Sequence, residues 1–324
     1  MNIKKTIAGV AILLSLITSV FAKTKVVTTI FPEYDWTREI AGNSKNVELT
    51  LLIGNGVDLH SYQPSIQDIA KISTADIFIY VGGESDVWVE DALKNAKNKD
   101  MTVINLMEIL GDKVKEEEVV EGMQAEEEDD EDEHEHHHHD ADHDETEYDE
   151  HVWLSLRNAK VLCSEICTAL CKKDAANAAS YKANLATYTA RLDALDAKYT
   201  AAVKAGSRNT ILFGDRFPFR YLVDDYGIKY YAACVGCSAE TEASFQTIIF
   251  LSGKLDELSL PVVFKIESGD GKIARTIVEN SKAKNAKILT LDSMQSVTSK
   301  QAKAGTTYIK IMEENLKVLT EALK

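Results

Sequence analysis

Proline is scarce in this chain, with 4 among 324 residues, and glycine adds only 16. So little of either excludes a collagen-like repeat and a Pro/Gly-rich disordered chain. Basic charge is also short: 36 Lys and Arg stand against 52 Asp and Glu, a net charge of −16. Polyanion binding needs clustered cations on the phosphates, so nucleic acid is set aside as a partner. Past the N-terminus, no apolar run approaches the roughly 20 residues of a membrane span. Cysteine is absent before Cys163 and histidine is absent after His151. What remains is a globular composition, 45% hydrophobic and 27% charged, in a chain longer than one core usually supports. Two domains are expected.

The acidic charge is concentrated. Residues 116–150 hold 20 Asp or Glu and no Lys or Arg, so 52 falls to 32 outside them, against 36 basic residues. The same stretch holds six of the eight histidines: His134, His136, His137, His138, His139 and His143. Too polar to bury a core, this insert is expected to be mobile and to offer auxiliary metal ligands without fixed geometry.

The N-terminus reads as an export signal. Lys4 and Lys5 precede the apolar run 7–17, and Val20-Phe21-Ala22 supplies a small-x-small site, so cleavage is expected after Ala22. No cysteine stands at that site to take a lipid. The expectation is a soluble periplasmic or otherwise exported protein. Cys163, Cys167 and Cys171 recur every four residues, a spacing that suits buried thiols on one helix face better than disulfides. Cys234 and Cys237 form a lone C-x-x-C, short of the two pairs of a four-Cys zinc site.

Short apolar runs alternate with helical patterns along the mature chain. Strands are expected at 25–31, 47–53, 76–81, 101–106, 209–214, 229–234, 261–266 and 286–291. Helices are expected at 34–41, 65–73, 152–170, 217–226, 243–257 and 272–281. Several strands lack polar alternation, as strands covered on both faces do. The order predicts an α/β protein of two lobes, each a mostly parallel sheet wound by helices. Between them, residues 174–205 contain no Gly or Pro, with Leu185, Tyr188, Leu192, Leu195 and Tyr199 at helical spacing. One long rigid helix is expected to join a first lobe, 23–173, to a second, 206–324.

With six histidines in the insert, His60 and His151 are the two that remain. His60 follows the second strand and His151 stands where the insert ends. In open α/β sheets ligands bind outside the carboxyl ends of the strands. At the corresponding places of the second lobe stand Asp215, Glu267 and Asp292. Each could cap a following helix. Imidazoles facing carboxylates across a cleft would instead suit a transition metal, since calcium and magnesium prefer oxygen shells.

Four segments carry a resemblance. Val27-Thr28-Thr29-Ile30-Phe31-Pro32, Asp58-Leu59-His60-Ser61-Tyr62-Gln63-Pro64-Ser65, Glu150-His151-Val152-Trp153-Leu154 and Leu289-Thr290-Leu291-Asp292-Ser293 resemble the first strand, two His motifs and late Asp motif of the zinc- and manganese-uptake binding proteins of ABC transporters. A His- and acid-rich insert before the second His is characteristic of the zinc members. The resemblance spans the mature chain. It implies two α/β lobes joined by a long helix, zinc as cargo with manganese or iron as the alternative, and a membrane permease backed by a cytoplasmic ATPase as partner. It also implies a monomer with no enzymatic activity, with His60, His151 and Asp292 as ligands. Eleven residues before Gly227, where the family places a third ligand, stands Arg216, which cannot ligate a metal. Asp215 beside it is the expected substitute, with Glu267 the alternative. A metal-dependent adhesin and a periplasmic zinc hydrolase are the competing classes. For the latter, the H-E-x-x-H match at residues 134–138 falls within the insert's acidic His run and not on a helical pattern.

Overall fold

The computed structural model describes residues 23–124, 147–236 and 243–324. The leader, the centre of the insert with its six histidines, and Cys237 lie outside them.

The first lobe runs β1 (Thr24–Thr28), α1 (Phe31–Ala41), β2 (Val47–Leu51), α2 (Ile66–Ser73), β3 (Ile77–Tyr80), α3 (Trp88–Lys94), β4 (Thr102–Asn105), α4 (Leu106–Leu110) and α5 (Leu156–Lys173). After α6 (Ala178–Ala205) the second follows with β5 (Thr210–Phe217), α7 (Arg220–Tyr226), β6 (Lys229–Val235), α8 (Phe245–Glu257), β7 (Val262–Ile266), α9 (Lys272–Asn280), β8 (Lys287–Leu291), α10 (Ser299–Lys303) and α11 (Tyr308–Ala322). The sheets are ordered β2-β1-β3-β4 and β6-β5-β7-β8, and every pairing within them is parallel. One winding is thus used twice. In each lobe the order reverses at its first strand, which opens a crevice at the carboxyl ends where loops carry side chains to a ligand.

All eight expected strands form. Buried Val26, Ile77, Ile79 and Ile104 in one lobe, and Ile211, Phe213, Val262 and Phe264 in the other, explain the missing polar alternation. α6 has 28 residues, about 42 Å at 1.5 Å each. Tyr181, Tyr188, Leu192, Leu195 and Tyr199 bury one face of it, with Leu185 half-buried at the edge. Its Asn184 donates to Ile40 O of α1 at 2.9 Å and its Tyr199 hydroxyl to Met312 O of α11 at 2.6 Å, so one helix is fastened to both lobes. The largest cluster of buried apolar side chains likewise runs through both lobes and α6.

Three expectations shift. The helix expected over 152–170 opens as a 3-10 turn, Val152–Leu154, and α5 begins only after Ser155, whose hydroxyl accepts Asn158 N at 3.0 Å as an N-cap. The helix expected from residue 217 starts at Arg220, because β5 runs on through Phe217. The third concerns the insert, expected to be mobile from Glu116 to Glu150. Glu116 pairs with Tyr148 in an antiparallel bridge, Asp149 N donates to Lys115 O at 2.9 Å, and Gln124 N donates to Ala233 O of β6 at 2.9 Å. Met123 is buried in the core and Val120 packs against it, so two apolar side chains tie down a flank that charge alone would leave in water.

Candidate metal centre

The loop leaving β2 ends in a single 3-10 turn, Leu59–Ser61. Asp58 caps it, accepting His60 N at 3.1 Å, and fully buried Leu59 anchors it. His60 Nδ1 lies 2.7 Å from Ser85 Oγ and 3.5 Å from Glu150 Oε2. Ser85 belongs to the turn Glu84–Asp86 beyond β3, and its N–H donates to Glu150 Oε1 at 2.9 Å. Gly83 makes that approach possible: its φ is +80°, and a Cβ there would stand 2.4 Å from Glu150 Oε1.

His151 is fully buried at the head of the turn Val152–Leu154. Its backbone N–H donates to Asp149 Oδ1 at 2.8 Å, and its ring Nδ1 lies 2.9 Å from the same oxygen. An ionised carboxylate only accepts, so Nδ1 carries the proton and Nε2 presents a lone pair. The two Nε2 atoms, of His60 and His151, stand 3.1 Å apart. Zinc bonds imidazole at about 2.0–2.1 Å, so two tetrahedral ligand atoms sit about 3.3 Å apart. The pair is therefore spaced for one shared ion. Burial, then His151, then Arg216 hold the His60 pKa well below its usual value, keeping that ring in the neutral form a metal requires. The carboxylate behind His151 and the hydroxyl and carboxylate behind His60 orient the rings as the outer partners of metal-bound imidazoles do.

The second lobe presents its acids differently. Asp215 lies within β5, not at its end. Register with β6 slips between Phe213 and Arg216, and the described β5–β7 pairing is limited to Phe213 with Phe264. The Asp215 carboxylate mends that gap, accepting Ile266 N at 3.2 Å and Arg216 N at 3.0 Å. Burial raises its pKa against those bonds. Glu267 accepts from Ser293 N at 2.8 Å, Ser293 Oγ at 2.9 Å and Ser296 Oγ at 3.2 Å. Asp292 accepts Met294 N at 2.7 Å, and burial with neighbouring Glu267 pushes its pKa up to about 7. It lines a cavity of about 320 Å³ with Gly305, Thr306, Lys310 and Glu314. Among the described residues no three His, Cys, Asp or Glu side chains are grouped to hold an ion. The fold thus brings His60 and His151 together, and does not bring Asp215, Glu267 or Asp292 into that group.

Sequence reasoning missed the residues behind the imidazoles. Asp149 and Glu150, adjacent to His151, were readable as carboxylates able to orient it. Ser85, 25 positions from His60, left no signal. Beside His60 lies a cavity of about 220 Å³ walled by Glu84, Ser85, Glu117, Glu147 and Glu150, so the ordered ends of the insert face the candidate centre. Cys163, Cys167 and Cys171 are free thiols, as expected.

Residues 26–322 match the family described as zinc-uptake complex component A, periplasmic. The chain belongs to that family. Zinc-binding lipoprotein AdcA of Streptococcus pneumoniae serotype 4 is 32% identical over 299 residues, 92% of this chain and 56% of AdcA. The high-affinity zinc uptake system protein ZnuA of Bacillus subtilis strain 168 is 30% identical over 301 residues, 93% of this chain and 88% of that protein. The chain spans about half the length of the streptococcal relatives it matches. The crystal structure of the Zn(II)-bound ZnuA-like domain of Streptococcus pneumoniae AdcA superposes with a TM-score of 0.70 at 26% identity, covering 93% of this chain and 99% of that one. The two-lobed fold is that of these solute-binding proteins.

Proposed function

We propose that this chain captures zinc outside the cytoplasm and delivers it to the permease of an ABC transporter, performing no catalysis of its own. The reading is carried by one observation: two Nε2 atoms 3.1 Å apart, each on a ring anchored at Nδ1. With the His151 Nδ1 proton facing Asp149, its Nε2 lone pair points at His60 Nε2, where a cation can replace the proton shared between the rings. Neutral imidazole suits zinc better than calcium or magnesium, which prefer oxygen shells. The relatives' names, zinc-binding and zinc uptake, support the same cargo.

In this reading His60 and His151 are the nitrogen donors. Asp292 is the foremost second-lobe carboxylate, since it accepts one backbone bond while Glu267 already accepts from three donors. Asp215, engaged by two backbone N–H groups, ranks behind it. The leader 1–22 directs export and is removed after Ala22. The mature monomer comprises lobe 23–173, helix 174–205 and lobe 206–324, and the insert histidines hold further zinc loosely.

Elemental analysis of untagged protein, with calorimetric competition between zinc and manganese, tests the cargo. One tight zinc site is expected, weakened by orders of magnitude in His60→Ala and in His151→Ala. Preference for manganese, or a tight site indifferent to both substitutions, would reject the reading.

A further inference from the structure

The position where the family resemblance places a third ligand carries a cation. Arg216, on β5 of the second lobe, forms an ion pair with Asp58 of the first, and their side chains are only 12% and 14% exposed. Asp58 has a second task, because its other carboxylate oxygen accepts His60 N at 3.1 Å and so caps the turn carrying that imidazole. One carboxylate thus joins a candidate ligand to a positive charge from the opposite lobe. That guanidinium, one carboxylate away from the turn that carries His60, repels positive charge brought to the ring. A divalent ion at His60 Nε2 would meet the same field with twice the charge of a proton.

We propose that Arg216 sets the affinity of the metal centre: it is a resident cation that holds divalent-ion binding below what the donors alone would give, with Asp58 as its counter-charge. The inference rests on the zinc reading above. Guanidinium does not deprotonate in proteins, so the effect persists at every working pH. Shielding from solvent keeps salt from erasing it. The functional logic is release, since a binding protein must let go of its cargo and affinity is mostly set by the rate of leaving.

Three substitutions in the full chain separate charge from shape, with zinc alone as the titrant and a competing chelator to reach tight constants. Arg216→Met is expected to bind zinc about tenfold or more tighter, and Arg216→Lys to stay within about threefold of the parent, because it keeps the charge. Asp58→Asn keeps an oxygen for His60 N but strips the counter-charge, and about tenfold weaker binding is expected. Thermal melts report folding, and Arg216→Gln replaces the Met variant should that fail to fold. A folded Met or Gln variant that binds zinc no more tightly than the parent overturns the proposal. So does a Lys variant that behaves like Met, which would assign the effect to shape. Parent binding indifferent to His151→Ala would strike the zinc reading instead, whatever the Arg216 series shows.

Discussion

The indole N–H of Trp153 donates to the backbone carbonyl of Ser293 at 2.9 Å, tying the turn behind His151 to the loop that follows Asp292 in the other lobe. Tyr308 of α11 strengthens the junction by donating its hydroxyl to Trp153 O at 2.7 Å. Trp153 is fully buried, so no water replaces the lost donor in Trp153→Phe. A buried acceptor left without its partner costs about 1–3 kcal/mol, and that loss is expected in urea unfolding. Unchanged stability would mean that the lobes do not lean on this bond.

Asp149 acts on the metal through His151. Its carboxylate takes both the backbone and ring N–H groups of that residue, fixing the ring and raising the basicity of Nε2. Loss of such an outer partner typically lowers metal affinity 10–100-fold. Asp149→Ala is expected to fall in that range by zinc titration, with Asp149→Asn milder because its oxygen can still accept. An effect as large as that of His151→Ala would make Asp149 a ligand itself.

The second-lobe acids should part company. Asp292→Ala is expected to weaken zinc binding with a modest change in stability. Asp215→Ala removes the acceptor that bridges β5 to Ile266 N, so it is expected to cost about 1–3 kcal/mol of stability and little affinity. Thermal melts beside calorimetry read both quantities. Glu267→Ala losing affinity while Asp292→Ala keeps it would reverse the assignment.

Periodicity read the fold well because buried parallel strands are unbroken apolar runs, and all eight form within three residues of their expected ends. The paired histidines were legible for a simple reason: few histidines exist outside the insert, and they stand at informative places, His60 in the loop leaving a strand and His151 where the insert ends. Asp215 misled because a bulge is invisible in sequence. One extra residue between Phe213 and Arg216 carries β5 onward and turns the carboxylate to the β7 edge. The insert's ordered ends were hidden too, since Val120 and Met123 are two apolar residues in a sea of charge, and only the core reveals where they dock.

Those ordered ends make a deletion testable. The bonds Glu117 N to Glu147 O, Asp149 N to Lys115 O and Gln124 N to Ala233 O all lie outside residues 125–146. Replacing 125–146 with a flexible Gly-Ser linker is expected to leave the melting temperature and the tight zinc site intact. Total zinc bound at saturation should fall, because the six insert histidines go with the segment. Loss of the tight site would show that the insert supplies a primary ligand.

Asp35 gives the fold a pH dependence of its own. It is fully buried on α1, where it accepts Tyr308 N at 2.7 Å and pairs with Arg38. Glu39 pushes its pKa up, Arg38 pulls it down, and Cys163, Tyr188 and Tyr308 are its other titratable neighbours, raised by burial and therefore neutral here. Burial prevails, and the carboxyl is raised from 3.8 to about 6. The folded state then holds this proton more tightly than the unfolded chain does. Stability from this group is fully present below about pH 4 and is lost as pH rises through about 6, a change of about 3 kcal/mol by linkage. Asp35→Asn keeps an acceptor for Tyr308 N and does not titrate, while Arg38 retains Ala302 O at 2.7 Å and Thr306 O at 2.8 Å. Any fixed cost of the substitution is the same at every pH. Urea unfolding of both proteins from pH 4 to pH 7 should therefore show the Asn variant gaining on the parent up to about pH 6 and running parallel beyond it. A difference that stays flat across the range would place the Asp35 pKa near its ordinary value and remove burial as the dominant influence.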